Sequence, residues 1–296
     1  MYLFYIDEAG RPSLEDKALL TDPWFVMSAV GVRDDQWLLI DEEISSLKRE
    51  FFPNIKKKYS IDFSLYKQST VLRCLDRRIR ICQQSSFDEY LVYLNDNPDE
   101  VDHLYGSLLI GVTRFFRDRE AFETIKNNVI PEILKNREPG SQVRIWVAGC
   151  STGEEAYSLA ILFREYMDSA QKNYNVKIFA TDIDSNAIEY ASAGAYPDSI
   201  AEDVPLERLN RYFIKRRALF QVTKTIREMV IFSLHNLINN PPFYKIDLIS
   251  CRNLLIYFNP KLQTRIISSF QFALESSGFL FLGTSETTGE MSGYFS

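Results

Sequence analysis

The chain is poor in histidine and cysteine, and those two shortages set the first limits on its chemistry. Only two histidines occur, His103 and His235, too few for a His-rich metal site and a thin basis for imidazole catalysis. No metal centre is therefore expected. The four cysteines, Cys74, Cys82, Cys150 and Cys251, show no C-x-x-C spacing. Cys74 and Cys82 lie eight residues apart on a predicted helix, too far to bridge. With no signal-like N-terminus, reduced thiols in a cytoplasmic protein are expected. No apolar run approaches the roughly 20 residues of a membrane span, so direct membrane insertion is not expected. Positive charge is not in excess either. Thirty-four Lys and Arg stand against 40 Asp and Glu, a net charge of −6, which argues against a general nucleic-acid binder. What remains is ordinary globular material, 46% hydrophobic and 25% charged over 296 residues, enough for one large domain or two to three small ones.

The organising stretch is Val143-Arg-Ile-Trp-Val-Ala-Gly-Cys-Ser-Thr-Gly-Glu-Glu-Ala-Tyr157. Val143–Ala148 reads as a short buried strand and Gly149–Gly153 as a small-residue loop. From Glu154 a helix begins, with Tyr157, Leu159, Ala160 and Phe163 on one side. Strand, glycine loop and helix start form a nucleotide-type cradle, where backbone comes close to a ligand and free N–H groups of the first turn face it. The spacing is neither G-x-G-x-x-G nor a P-loop. Glu154 and Glu155 occupy the place where a phosphate binder would carry no negative charge. A ligand with positive character is indicated; S-adenosylmethionine, with its ammonium and sulfonium, fits and ATP does not. The plainer alternative is a βα turn capped by Ser151 or Thr152.

Downstream, strands alternate with helices, the pattern of a doubly wound sheet. Strands are predicted at Val176–Ala180, Val230–Ser233, Ile246–Ser250 and Gly278–Gly283, with helices at Asn186–Ala193 and Pro260–Ser276. The second strand runs into Thr181-Asp182-Ile183-Asp184, where an acidic residue commonly holds a ribose diol. Asn240-Pro-Pro-Phe243 superficially matches an adenine-methyltransferase motif. It precedes a strand instead of ending one and reads as a loop, so no nucleic-acid partner is expected.

Upstream, Ser64–Gln83 is predicted helical with Leu72, Leu75, Ile79 and Cys82 along one face, and Arg73, Arg77, Arg78 and Arg80 away from it. That basic face is either a solvated surface or a docking surface for an acidic protein. Further helices are predicted at Phe87–Asn95, Asp99–Leu109 and Arg119–Leu134. Lys56-Lys-Lys58 reads as a basic joint before a unit starting near Tyr59. Residues 1–55 stand apart, with strands at Tyr2–Ile6 and Trp24–Val32 and a helix at Trp37–Phe52. Their opening, Met-Tyr-Leu-Phe-Tyr-Ile-Asp-Glu-Ala-Gly10, resembles the start of an uncharacterised RNase H-like family in which the Asp, here Asp7, is a candidate metal ligand. One carboxylate pair cannot hold two catalytic metals, and Asp7 reads better as a strand-end turn residue.

Together, Phe115-Phe-Arg117, Gly149-Cys-Ser-Thr-Gly-Glu-Glu155, Ala180-Thr-Asp-Ile-Asp184, Cys251-Arg-Asn-Leu-Leu-Ile-Tyr257 and Gly283-Thr-Ser-Glu286 resemble the chemotaxis receptor glutamate methyltransferases (CheR), particularly the transferase part of CheB/CheR fusions. The resemblance runs from about Tyr59 to the C-terminus. It implies an α/β fold: a class I, Rossmann-like S-adenosylmethionine-dependent methyltransferase domain over 141–296, with a small β-subdomain at about 195–230. A small all-α domain over 59–136 and a short αβ segment over 1–55 would precede it. It implies S-adenosylmethionine as cofactor, held by Thr113, Arg117, Glu155, Asp182, Asn236, Leu237, Arg252 and Asn253. Arg117 and Tyr257 would lie nearest the transferring methyl. Arg73, Arg77 and Arg80 would face the partner, the cytoplasmic glutamate-bearing helices of a methyl-accepting chemotaxis receptor. Three departures stand out: Gly111 replaces a cofactor-touching Asn of some members, Phe213–Arg227 is short and free of glycine where a hairpin belongs, and the final antiparallel strand would lie beyond Ser296.

The chemistry agrees with the resemblance. A glutamate acceptor is already ionised near neutral pH, so no general base is required and the task is positioning. A chain with two histidines and no activated thiol suits that task. The alternatives are a catalytically silent S-adenosylmethionine-binding scaffold on receptors and, further off, a nucleic-acid methyltransferase.

Overall fold

In the computed structural model, which describes residues 2–9, 26–33, 52–59 and 61–288, the apolar run after Ser141 becomes strand β3 (Gln142–Ala148). β1 (Tyr2–Ala9) and β2 (Val26–Arg33) precede it as an antiparallel pair in register from Tyr2 opposite Arg33 to Ala9 opposite Val26. β3 is buried from Ile145 to Ala148, as a central strand covered on both faces must be, which explains why its sequence does not alternate. Its parallel neighbours are β4 (Asn175–Asp182) and β9 (Ile246–Cys251). β8 (Val230–Leu234) lies beyond β4, and β10 (Leu274–Leu282) lies beyond β9. The order β10-β9-β3-β4-β8 places a topological switch at β3. The chain winds outward one way through β4 and the other way through β9, and a crevice opens at the carboxyl ends of the three strands.

The chain divides into two compact units, residues 1–64 with 68–104, and 65–67 with 105–296. In the first unit, the helix expected over 37–52 and the loop before β2 lie outside the described residues, apart from Phe52. There α1 (Phe52–Tyr59) begins, and the three lysines form its last turn instead of a joint. A 3-10 turn (Phe63–Leu65) precedes α2 (Gln68–Ile81), so the helix begins four residues later than predicted. α2 buries Val71, Cys74 and Leu75, leaving Leu72 and Ile79 half-buried and Arg73, Arg77 and Arg80 exposed. Apolar residues occupy two overlapping stripes one position apart; periodicity does not choose between them, and tertiary packing does. Arg78 is not part of the exposed basic set, since it reaches Glu100 at 2.5 Å. α3 (Phe87–Asp96) is capped by Ser86, whose hydroxyl accepts the Glu89 N–H at 3.2 Å, and α4 (Pro98–Leu108) follows.

The second unit carries the large sheet and a small antiparallel one. α5 (Arg119–Thr124) runs through a π turn (Ile125–Val129) into α6 (Ile130–Leu134). The interruption has a local cause: Pro131 lacks an N–H and crowds the carbonyl four residues back. This stretch, grouped by sequence with the helical unit, packs Phe122, Ile125, Ile130, Ile133 and Leu134 into the core built on β3 and α7 (Glu154–Ala170). α8 (Ser185–Ala193) is capped by Asp184. β5 (Ala195–Pro197), β6 (Phe213–Arg216) and β7 (Leu219–Val222) form the small sheet, with α9 (Leu206–Tyr212) between β5 and β6. The short, glycine-free segment thus forms its hairpin, β6 against β7. Arg217, at φ 54°, takes the positive-φ turn position usually given to Gly. After α10 (Lys224–Arg227) and β8 comes β9, then α11 (Pro260–Ala273), opened by Asn259 accepting the Leu262 N–H and by Pro260 in the first turn. α11 stops earlier than expected because β10 starts directly at Leu274, with its register shifted between Leu274 and Phe279.

Candidate active site

The crevice at the switch point is a cleft open to solvent, set where ligands bind in doubly wound sheets. Its wall is supplied by the loop after β3 (Gly149, Cys150, Ser151), the first turn of α7 (Glu155), the end of β4 (Asp182, Ile183, Asp184) and the loop after β9 (Arg252, Asn253, Leu254, Tyr257). Gly111, Thr113 and Arg117 close it from the segment after α4. Gly149, at φ 75°, lets the loop pass Leu254: a Cβ there would fall 2.7 Å from Leu254 Cδ2.

Asp182 is the best-held group in the cleft. Its Oδ2 accepts the Ser151 N–H at 2.7 Å, and its Oδ1 accepts the N–H groups of Ile183 at 2.7 Å and Asp184 at 3.0 Å. Burial pushes the carboxyl up from the ordinary aspartate value, against these three donors, which favour the ionised form. Asp184, two residues on, caps α8 by accepting from Asn186 at 2.9 Å and Ala187 at 3.3 Å. Glu155 accepts the Ser250 hydroxyl at 2.6 Å and faces Arg252 at 3.2 Å. Burial pushes Glu155 up as well, and Arg252 and Ser250 counter it. Neither Ser151 nor Thr152 caps α7; the Thr152 hydroxyl bonds Glu154 at 2.7 Å instead.

Arg252 is almost fully buried. Its Nη2 donates to Asp118 at 2.6 Å and to the Arg117 carbonyl at 3.0 Å, and its guanidinium lies 4.5 Å from the Phe281 ring centre. Its Nε has no partner among the described residues. Arg117 is set between two left-handed residues, Phe116 at φ 50° and Asp118 at φ 63°, a local strain that recurs at functional sites. Buried Phe115 and Phe116 anchor that turn, with the Phe116 N–H on the Ser158 hydroxyl at 3.0 Å. Arg117 Nη1 donates to the Val112 carbonyl at 3.1 Å.

The structure thus brings Thr113, Arg117, Glu155, Asp182, Arg252, Asn253 and Tyr257 to one cleft. Asn236 and Leu237 are not among its lining residues. The chain past β8 turns back on itself there: the Asn236 N–H bonds Asn240 Oδ1 at 2.7 Å, Asn236 Oδ1 accepts the Ile238 N–H at 2.9 Å, and Leu237 packs against the cluster holding Trp146 and Phe270. Sequence reasoning did not pick out Tyr66, which lines the cleft from an isolated bridge to Phe258; no motif marks that pairing.

The donor set suits a cationic, ribose-bearing ligand. Glu155, Asp182 and Asp184 set three carboxylates against Arg117 and Arg252, and Arg252 is already neutralised by Glu155 and Asp118. Burial lifts the thiols of Cys150 and Cys251 well above the ordinary value, so neither supplies a thiolate near neutral pH.

Two family models match: "CheR methyltransferase, all-alpha domain" over residues 49–109 and "CheR methyltransferase, SAM binding domain" over 111–296. The chain belongs to the CheR methyltransferase family. Its cofactor is S-adenosylmethionine, and the cleft fits that ligand by the carboxylates of Glu155, Asp182 and Asp184 at its wall and by the orphaned Nε of Arg252. Among relatives, the "Chemotaxis protein methyltransferase" of Borreliella burgdorferi is 31% identical over 83% of this chain and 88% of its own length. The "Chemotaxis protein methyltransferase 2" of Vibrio cholerae is 32% identical over 81% of this chain and 84% of its own. A 104.1 kDa uncharacterised protein of Rhodobacter capsulatus is 39% identical over 80% of this chain, which spans a quarter of that relative's length.

Proposed function

We propose that the chain transfers the methyl group of S-adenosylmethionine to glutamate carboxylates on the cytoplasmic helices of methyl-accepting chemotaxis receptors. The observation that carries this reading is a cleft with a guanidinium at its wall, neither histidine nor thiolate among its described lining residues, and carboxylates already held by Arg252, a hydroxyl or backbone N–H groups. Such a site can position a nucleophile that is already ionised but is poorly equipped to deprotonate one. Bound S-adenosylmethionine supplies an electrophilic methyl on a sulfonium. Asp182, fixed by three backbone donors, keeps a lone pair on Oδ2 for a ribose hydroxyl. Arg117 orients the incoming carboxylate with the N–H groups that Val112 leaves open, and the Tyr257 ring shapes the wall beside it. Arg73, Arg77 and Arg80 form the surface that meets the acidic receptor. The names and coverage of the Borreliella and Vibrio relatives support the substrate class. The Rhodobacter match, to a quarter of a much longer protein, fits the motif resemblance to fusion-type transferases.

The test is transfer from labelled S-adenosylmethionine to a chemoreceptor cytoplasmic fragment. Base-labile methyl ester on the receptor is expected. Cofactor binding without transfer, or base-stable label on nucleic acid, overturns the proposal.

A further inference from the structure

The loop leaving β9 brings Arg252, Asn253 and Tyr257 to the cleft, and its backbone is gripped by one side chain far along the sequence. Glu286 Oε2 accepts the N–H of Asn253 at 2.8 Å and of Gly283 at 2.7 Å, while Oε1 accepts those of Leu254 at 2.8 Å and Leu255 at 2.7 Å. Four N–H groups therefore converge on one carboxylate, a charge-assisted arrangement stronger than neutral hydrogen bonds. Asn253 is left-handed, at φ 57°, a conformation that Asn adopts more readily than most non-glycine residues but still at some cost, so a gripping partner helps hold it. Successive N–H groups around such a residue make an anion-binding concavity, and Glu286 fills it. Gly283 is matched to the same contact. A Cβ there would lie 2.7 Å from Glu286 Oε2 and 3.0 Å from the Asn253 nitrogen.

We propose that Glu286 is a positioning residue for the cofactor cleft. It does not line the cleft; it fixes the left-handed turn at Asn253 and, through that turn, the placement of Asn253 and Tyr257 on the wall. The inference rests on the cleft being the S-adenosylmethionine site, and it assigns a role to a side chain with no direct contact with the ligand.

The experiment is calorimetric titration of the full chain with S-adenosylhomocysteine, for wild type, Glu286→Gln, Asn253→Ala and the double variant. Gln replaces one oxygen by an NH₂ group that confronts N–H donors, so the affinity of Glu286→Gln should fall about tenfold, the worth of one to two hydrogen bonds. If Glu286 acts through the turn that carries Asn253 and Tyr257, the double variant loses clearly less than the product of the two single losses, whereas independent effects would multiply. Multiplying losses, or wild-type affinity in Glu286→Gln, overturn the assignment. Should Glu286→Gln fail to fold, Glu286→Asp is read in its place: it keeps the charge one carbon short, and weakened affinity supports the assignment while wild-type affinity overturns it. A wild-type chain that does not bind S-adenosylhomocysteine overturns the cofactor site itself, and this role falls with it.

Discussion

Glu155 and Arg252, 97 residues apart in sequence, meet at 3.2 Å where the first turn of α7 faces the end of β9. The same guanidinium reaches Asp118 and the carbonyl of Arg117. One buried cation thus links the glycine-loop helix, the strand-end loop and the turn presenting Arg117. Without it, two carboxylates would be left close together with no counter-charge, and removing one partner of a buried pair is more damaging than the pair itself is stabilising.

Arg252→Met is therefore expected to destabilise the second unit by about 3–5 kcal/mol. Arg252→Lys should be only a partial repair, because an ammonium cannot reproduce the guanidinium's fork onto Glu155, Asp118 and a backbone carbonyl. Denaturant unfolding of the three chains checks the order wild type, Lys, Met; equal midpoints would show that the pair is dispensable.

Asp182 and Asp184 lie two residues apart and do different work. Asp182→Ala releases three backbone donors in the cleft and should weaken S-adenosylhomocysteine binding at least tenfold, the equivalent of one to two hydrogen bonds. Asp184→Ala removes a helix cap and should lower stability by about 1 kcal/mol with little change in affinity. Calorimetry beside thermal unfolding separates the two; equal affinities in both variants would refute the division of roles.

The sheet and the cleft were largely legible because buried parallel strands leave continuous apolar runs, and ligand residues sit at the strand ends. Gly149, Asp182 and Arg252 announce themselves that way. The exceptions lack such a signal. Glu286 belongs to the Gly283-Thr-Ser-Glu286 motif, but nothing in that motif says that its carboxylate grips the backbone at Asn253, and Tyr66 reaches the cleft through a single bridge to Phe258. Asn236 and Leu237 follow a strand end, as good candidates do, but the Asn236–Asn240 hydrogen bond turns that loop on itself. On α2 the buried face fell one position away from the predicted stripe, since Val71, Leu72, Cys74, Leu75 and Ile79 permit either face.

In the first unit, Glu100 gives a pH-dependent contribution whose sign is fixed by its partners. Its carboxylate takes Arg78 Nη2 at 2.5 Å and the Tyr90 hydroxyl at 2.7 Å, with its side chain 4% exposed. Burial alone pushes the carboxyl up; the bonds from Arg78 and Tyr90 outweigh it and hold the group below the ordinary glutamate value. A lowered folded value means stability that is fully present above the unfolded pKa of about 4.3 and lost as pH falls through the folded value. Glu100→Gln should cost about 3 kcal/mol at neutral pH, and the gap from wild type should narrow below about pH 4. Thermal unfolding from neutral pH down past about pH 4 checks it; a gap that widens in acid would reverse the sign.

The exposed arginines of α2 carry the partner proposal, and electrostatics distinguishes docking from catalysis. Arg73, Arg77 and Arg80 are exposed, while Arg78 is engaged with Glu100, so the charge available to an acidic helix belongs to those three. Arg73→Glu with Arg77→Glu should raise KM for a receptor fragment at least tenfold, as expected from replacing attraction by repulsion across a partner surface. Affinity for S-adenosylhomocysteine should not change. The wild-type rate of association should fall steeply with added salt, since exposed charges are screened beyond about 10 Å at 0.1 M, and the double variant should lose that dependence. Arg78→Gln is the counter-test. It should lower the melting temperature while leaving the salt dependence in place, because its guanidinium is held by Glu100. Unchanged KM in the reversed variant at low salt would remove α2 from the receptor-binding surface.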